Sequence, residues 1–265
     1  MSINITLGNA KGGVGKTLVT NYLAYHLAEM NKKVLVIDCD PQGNTTDLYL
    51  KKLGEDIQIR TLYQGLKNKN LKETINQISN NLFFIGTGTD LVKLEDMLRG
   101  QKDKITFLSK HLEDIEQKFD FIFFDVPPSP YSTFVNNALG ASDYFLIITE
   151  LSSDSFKGIP TFYEVASSIN DNFNERLDFL GVIINRREND KETFAKISEV
   201  HNLESEEFFK NYIPKRSRFF KYMEDGIYNY TSKKNFINEF DRWDLELYTV
   251  GENITKELLE RIDRS

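Results

Sequence analysis

Cysteine is all but missing. Cys39 is the one thiol in 265 residues, so no internal disulfide can form and no cysteine–histidine set has the spacing of a structural zinc or iron–sulfur site. The three histidines, His26, His111 and His201, fall in helical stretches with no matching carboxylate pattern, and no catalysis is assigned to them. No run approaches the roughly 20 apolar residues of a membrane-spanning helix. Met1–Ala10 has neither the basic nor the apolar part of a secretory leader, so a cytoplasmic chain is expected. No Pro-, Gly- or Ser-rich linker, internal repeat or low-complexity stretch divides the chain, and residues 1–265 read as a single domain. Positive charge is in deficit as well. With 33 basic and 40 acidic side chains the net charge is −7, which taken as a total counts against nucleic acid as a partner.

What is present is a core. Hydrophobic residues make up 40% of the chain, which excludes disorder. Short apolar runs at Ile3–Leu7, Val34–Ile37, Leu82–Ile85, Phe121–Phe124, Tyr144–Ile148 and Leu180–Ile184 predict strands buried on both faces. Helices are predicted at Lys16–Met30, Leu91–Arg99, Ile105–Gln117, Ser155–Asn172, Glu192–His201 and Leu245–Ile262, the first with one apolar stripe through Val19, Leu23, Leu27 and Met30. Lys51–Asn81 reads as short helices and loops. The alternation predicts an α/β fold: a doubly wound, mostly parallel sheet flanked by helices.

Between the first strand and the first helix stands Lys11-Gly12-Gly13-Val14-Gly15-Lys16-Thr17. Glycines let backbone N–H groups curl around an anion and the helix N-terminus adds its dipole. Lys16 supplies charge for the β- and γ-phosphates, and Thr17 offers a hydroxyl to Mg²⁺. Strand, loop and helix in that order make this a P-loop. Its frame departs from the usual one, with Ala10 where glycine is common and a second lysine, Lys11, at the entrance. The pattern resembles the deviant Walker A motif of the ParA/MinD family of P-loop ATPases. The resemblance implies an ATP site of Lys11, Gly12, Gly13, Val14, Gly15, Lys16, Thr17 and Leu18, in which Lys16 acts in cis and Lys11 contacts the nucleotide of a second subunit. Leu18 stands where the family usually has Thr or Ser.

The second strand ends in Asp38-Cys39-Asp40-Pro41-Gln42-Gly43-Asn44. Two acids at the end of a buried strand are expensive unless a cation or water uses them. The segment is similar to the family's D-x-D-P-Q-G-N motif, which implies Asp38 in the Mg²⁺ shell and Asp40 positioning the attacking water; helix capping is the plainer reading of Asp38. Phe121–Phe124 closes on Asp125-Val126-Pro127-Pro128, the Walker B form, implying Asp125 as a further holder of Mg²⁺. Ser129-Pro130-Tyr131 departs from the family's Ser-Leu-Gly. Cys39, between acids, reads as an unreactive core thiol.

Asn185, at the end of the sixth predicted strand, reads either as an amide for the adenine edge or as a turn residue, and Pro214 as a flat wall for the base; both are similar to the family's adenine pocket. Phe209–Met223 holds five basic residues and no acid: Lys210, Lys215, Arg216, Arg218 and Lys221. Without them the remainder carries −12. A charge run is usually a solvated face; in ParA proteins this region binds DNA without sequence preference. The resemblance implies DNA contacts at Lys215, Arg216, Arg218 and Lys221, with Arg186, Arg187 and Lys191 as secondary candidates. The short stretch before the first strand leaves no room for a helix-turn-helix, so operator-specific binding is not expected.

The resemblance thus implies an ATPase using ATP and Mg²⁺ that forms an ATP-dependent homodimer. It implies a nucleoid-associated protein that drives plasmid or chromosome partition with a ParB-like adaptor, away from membranes. A MinD-like membrane-cycling ATPase is the alternative, disfavoured by the balanced charges of Glu252–Ile262. A weakly hydrolysing regulator is the other, disfavoured by the intact Asp40 and Asp125.

Overall fold

The computed structural model describes residues 1–54, 57–186, 204, 206–217 and 242–265. Seven strands form one sheet: β1 (Ile3–Gly8), β2 (Val34–Asp38), β3 (Ile75–Gln77), β4 (Leu82–Ile85), β5 (Phe121–Asp125), β6 (Tyr144–Glu150) and β7 (Asp178–Asn185), in the order β3-β4-β2-β5-β1-β6-β7. Every pairing is parallel except β3 with β4. The predicted α/β doubly wound sheet is therefore what forms. The short β3 is the strand that the sequence pattern missed, because three residues on an edge carry no periodicity to read.

Apolar residues on alternate faces explain why each strand is a continuous hydrophobic run. Leu35, Ile37, Ile122, Phe124, Ile147 and Ile184 pack on one face under α4 (Lys93–Leu98), α5 (Phe107–Leu112), α6 (Thr133–Gly140) and α8 (Gly158–Asn172). Val36, Ile5, Leu7, Phe123, Leu146 and Ile183 pack on the other under α1 (Lys16–Glu29), α2 (Asn44–Leu53) and α9 (Arg242–Ile262). Residues 62–67 form α3, inside the stretch read as short helices and loops, and Ser153–Phe156 forms α7.

Several helices differ from expectation. The one predicted over Ser155–Asn172 breaks at Lys157 into α7 and α8, and the one over Ile105–Gln117 keeps α5 and a separate 3-10 turn at Glu116–Lys118. α6 escaped notice because Pro127, Pro128 and Pro130 precede it and Asn136, Asn137 and Gly140 are poor helix formers; Ser132 caps it by accepting the Val135 N–H. α1 is buried nearly all round rather than along one stripe, because α9 covers the side that the sheet does not. Tyr22 donates its hydroxyl to the Leu247 carbonyl across that contact. The helix predicted at Glu192–His201, and Arg187, Lys191, Arg218 and Lys221, lie outside the described residues.

The α1–α9 contact encloses His26, whose ring lies 4.7, 5.3 and 5.0 Å from those of Tyr22, Tyr25 and Tyr248. Its Nε2 has no hydrogen-bond partner, and burial lowers its pKa to about 3. The imidazole is neutral in the fold and charges in the unfolded chain near pH 6.5, so stability is lost as pH falls below that value. Between pH 7 and 4.5 this one group accounts for roughly 2–3 kcal/mol. Thermal denaturation across that range is expected to show a shallower acid slope for His26→Leu than for the parent; equal slopes would remove His26 from the acid response.

Candidate nucleotide site

The site lies at the carboxyl ends of β1, β2 and β5, where open α/β sheets bind ligands. Register brings Asp38 opposite Asp125, and Asp125 opposite Leu7, so the acids and the phosphate loop leave the sheet at one level. The loop between β1 and α1 needs its glycines: φ is +81° at Gly13 and +90° at Gly15, a conformation L side chains rarely adopt. Its entry is fixed by Asn9, whose buried amide donates to the carbonyls of Ile148 (2.8 Å) and Ser155 (3.3 Å) and accepts from the Lys11 N–H (2.8 Å). A cleft of about 350 Å³ opens above the loop, lined by Gly12, Gly13, Gly15, Lys16, Thr17, Leu18, Asp40, Gln42, Asn44, Val126, Pro128 and Arg186.

Lys16 is buried, with Nζ donating to the Lys11 carbonyl at 3.3 Å. Burial lowers its pKa, while Asp125 and Asp40 oppose the shift. A bound polyphosphate would add counter-charge to that of the two carboxylates. Lys11 is the opposite case, with an exposed side chain outside the cleft lining.

Asp125 is fully buried. Its Oδ2 accepts from Thr45 Oγ1 at 2.8 Å, and Oδ1 is left with no hydrogen-bond partner. Burial raises its pKa, and Thr45 and then Thr17 pull it back. Thr45 is itself held by Asn21, whose Nδ2 donates to Thr45 Oγ1 (2.7 Å) and to the Thr17 carbonyl (2.8 Å). Sequence reasoning missed Asn21 and Thr45, since neither is charged and they sit on two different helices. Among the described residues no three His, Cys, Asp or Glu side chains converge as a metal cage. Mg²⁺ fits such a site, because it keeps most of its waters and takes few protein ligands beside substrate phosphates. The orphaned Asp125 oxygen beside the Thr17 side chain suits it.

Asp38, implied in the metal shell, is engaged within the fold. Its Oδ2 accepts from the Thr46 N–H (2.8 Å) and Oγ1 (2.6 Å), its Oδ1 accepts from the Asp40 N–H (3.1 Å), and it is fully buried outside the cleft lining. Burial raises its pKa first and the charge of Asp125 adds to the rise. Asp38 thus fastens the start of α2 to the sheet, and Thr46 passes the anchor on by accepting the Thr87 N–H at 2.8 Å. Asp40 is the acid that faces the cleft, its Oδ1 oriented by the Gln42 N–H at 2.9 Å. Cys39 is buried with its thiol pKa pushed up by burial and the neighbouring acids, as its position between them predicted.

The two residues implied for the adenine pocket, Asn185 and Pro214, are both buried. Asn185 is buried beneath the loop, its Nδ2 donating to the Val14 carbonyl at 2.9 Å and its Oδ1 accepting the Arg186 N–H at 2.9 Å. Pro214 is buried outside the cleft lining. Arg186, a secondary DNA candidate by sequence, stands in the cleft wall, paired to Glu150 at 2.7 Å. Of the basic run, Lys215 is exposed, whereas Arg216 pairs with Glu246 of α9 at 2.8 Å.

Residues 2–179 match the AAA domain family AAA_31. Chromosome-partitioning ATPase Soj of Thermus thermophilus is 31% identical over 180 residues, 68% of each chain. The chain is a ParA/MinD-type P-loop ATPase. This ParA/MinD-type chain is also similar to two solved structures. A plasmid partition protein of Borrelia burgdorferi bound to AMPPNP has a TM-score of 0.76 at 25% identity, over 97% of this chain and 100% of that one. McdA of Cyanothece in complex with ATP has a TM-score of 0.80 at 22% identity, over 99% and 96%, a likeness of fold.

Proposed function

We propose that this ParA/MinD-type chain hydrolyses ATP with Mg²⁺, dimerises around the nucleotide, binds DNA without sequence preference in that state, and partitions a plasmid or chromosome with a ParB-like adaptor. The observation that carries the nucleotide half is Lys16, buried at the base of a glycine cradle within the influence of Asp125 and Asp40. Thr17 and Asp125 would hold Mg²⁺, which when bound neutralises charge developing on the phosphates. Asp40, in the cleft wall, would orient the attacking water. Asp38 would act on the metal shell through the loop and helix it anchors.

The partition half is supported by kinship with Soj and with the Borrelia protein. Charge supports it too. The basic run carries +5 on a body of −12, so a lone subunit holds DNA weakly and two aligned runs hold it in a salt-sensitive way. In this reading Lys215, Arg216, Arg218 and Lys221 meet phosphates. Against the membrane-cycling alternative, α9 buries Leu247, Ile254 and Leu258 in the core rather than offering them to lipid.

The test follows from Lys11. Its exposed side chain is free to reach a second subunit's phosphates, so Lys11→Ala is expected to bind Mg²⁺-ATP within about threefold of the parent yet lose ATP-dependent dimers in light scattering, and with them ATP-dependent DNA retention. Dimers persisting in that variant would overturn the trans role. Equal DNA affinity of the parent with and without ATP would overturn the nucleotide-gated binding.

A further inference from the structure

Two adjacent side chains at the end of β7 reach the same loop. Arg186 Nη1 donates to the Gly13 carbonyl at 3.3 Å and Asn185 Nδ2 to the Val14 carbonyl at 2.9 Å. No peptide bond among the described residues is cis, and in a trans peptide the C=O and N–H point to opposite sides. Holding the carbonyls of 13 and 14 toward β7 therefore turns the N–H groups of Val14 and Gly15 the other way. With Gly13 and Gly15 both at positive φ, successive amides form an anion nest.

The pair is itself built to hold that aim. Asn185 Oδ1 accepts the Arg186 N–H at 2.9 Å, so one buried amide fixes both the loop and its neighbour. Glu150 of β6 fixes the guanidinium at 2.7 Å. Arg186 takes a left-handed φ of +52°, uncommon for a non-glycine residue and of the kind found at functional sites. The fit is close enough that a Cβ on Gly15 would lie 2.1 Å from Asn185 Nδ2.

We infer that Asn185 and Arg186 are positioning residues for the phosphates of the bound nucleotide, aligning the loop's N–H donors from behind. The inference rests on the nucleotide reading above. It differs from a base-reading role for Asn185 in what it makes sensitive. An aligner of the loop matters in proportion to the phosphates held, and a reader of adenine matters whatever the phosphates.

Competition binding in Mg²⁺ separates the two, with ATP, ADP, adenosine and ITP as probes on the parent, Asn185→Ala, Arg186→Ala and Arg186→Lys. Asn185→Ala and Arg186→Ala are each expected to weaken ATP and ADP about tenfold, the loss of one or two charge-assisted hydrogen bonds, while adenosine changes less than twofold and the preference for ATP over ITP stays. Arg186→Lys keeps one donor and recovers most of the loss. Melting temperatures without nucleotide identify any variant that fails to fold, and for such a variant the alanine replacement at the other position carries the result. Adenosine and ATP weakened equally, or an ATP-over-ITP preference lost in Asn185→Ala, would overturn the inference, as would unchanged ATP affinity in Arg186→Ala. A parent that binds none of the four would overturn the nucleotide reading itself.

Discussion

Lys16→Ala is expected to lose ATP by roughly 10²–10⁴-fold in Kd, the worth of two charge-assisted hydrogen bonds to the β- and γ-phosphates at about 1.5–3 kcal/mol each. The direction of its effect on the empty protein is opposite. Lys16 is buried with its pKa lowered, so the ammonium is held in the fold against a desolvation cost that Asp125 and Asp40 offset only in part. The alanine variant should therefore melt no lower than the parent without nucleotide, while the rise in melting temperature that ATP gives the parent disappears. A titration in Mg²⁺ paired with thermal melts reads both effects. An undiminished thermal shift with ATP would place the phosphates somewhere other than this cradle.

Asp40→Ala is expected to separate binding from turnover. The carboxylate lines the cleft, held by the Gln42 N–H, but contributes no loop amide and no lysine to the phosphates. Removing it should leave ATP affinity within a few-fold and lower phosphate release by roughly 10²–10⁴-fold, the usual contribution of a positioned general base. The ATP-bound dimer should accumulate, because the step that ends it is slowed. Normal turnover would overturn the water-positioning role and shift attention to the other acids. Asp38→Asn is the informative contrast. It keeps the side chain's size while altering the acceptors for Thr46, so its main effect should be on the seating of α2.

The two acids of the D-x-D motif show how far residue order reaches. Asp38 and Asp40 have the same chemistry and sit two positions apart, on one face of an extended segment. The family resemblance implied the metal shell for the first and the attacking water for the second, with helix capping as the plainer reading of Asp38. The fold divides them, because α2 starts six residues after Asp38 and lays the Thr46 N–H and hydroxyl onto its carboxylate. Asp40, two residues past the strand end, is left facing the cleft. A similar division applies to the basic residues. Arg186 and Arg216 were candidates for DNA contact, yet each has an acid from a distant element beside it, Glu150 of β6 and Glu246 of α9. Nothing local in the chain announces such partners.

Elements show the same boundary. Six strands were legible, since a strand buried on both faces needs an unbroken apolar run whatever lies around it. α1 was legible as a helix but not as a buried one, because its second cover, α9, arrives more than 200 residues later. β3 and α6 were illegible for want of length or helix-forming residues.

Cysteine and positive charge, the two scarcities of this chain, also divide along that line. One thiol excludes internal disulfides and single-chain clusters by counting, and Lys11-Gly12-Gly13-Val14-Gly15-Lys16-Thr17 between a strand and a helix determines a phosphate cradle, because its donors are backbone groups whose path the glycines set. Those conclusions need only contiguous residues. Which carboxylate stays open to a metal, and which side chains brace the loop, were decided by tertiary structure alone. Asp125 receives Thr45 from 80 positions away, and Val14 and Gly13 receive Asn185 and Arg186 from 171 and 173. Such contacts are set by sheet order and register, which bring β7 and α2 to the loop only once the whole sheet has assembled.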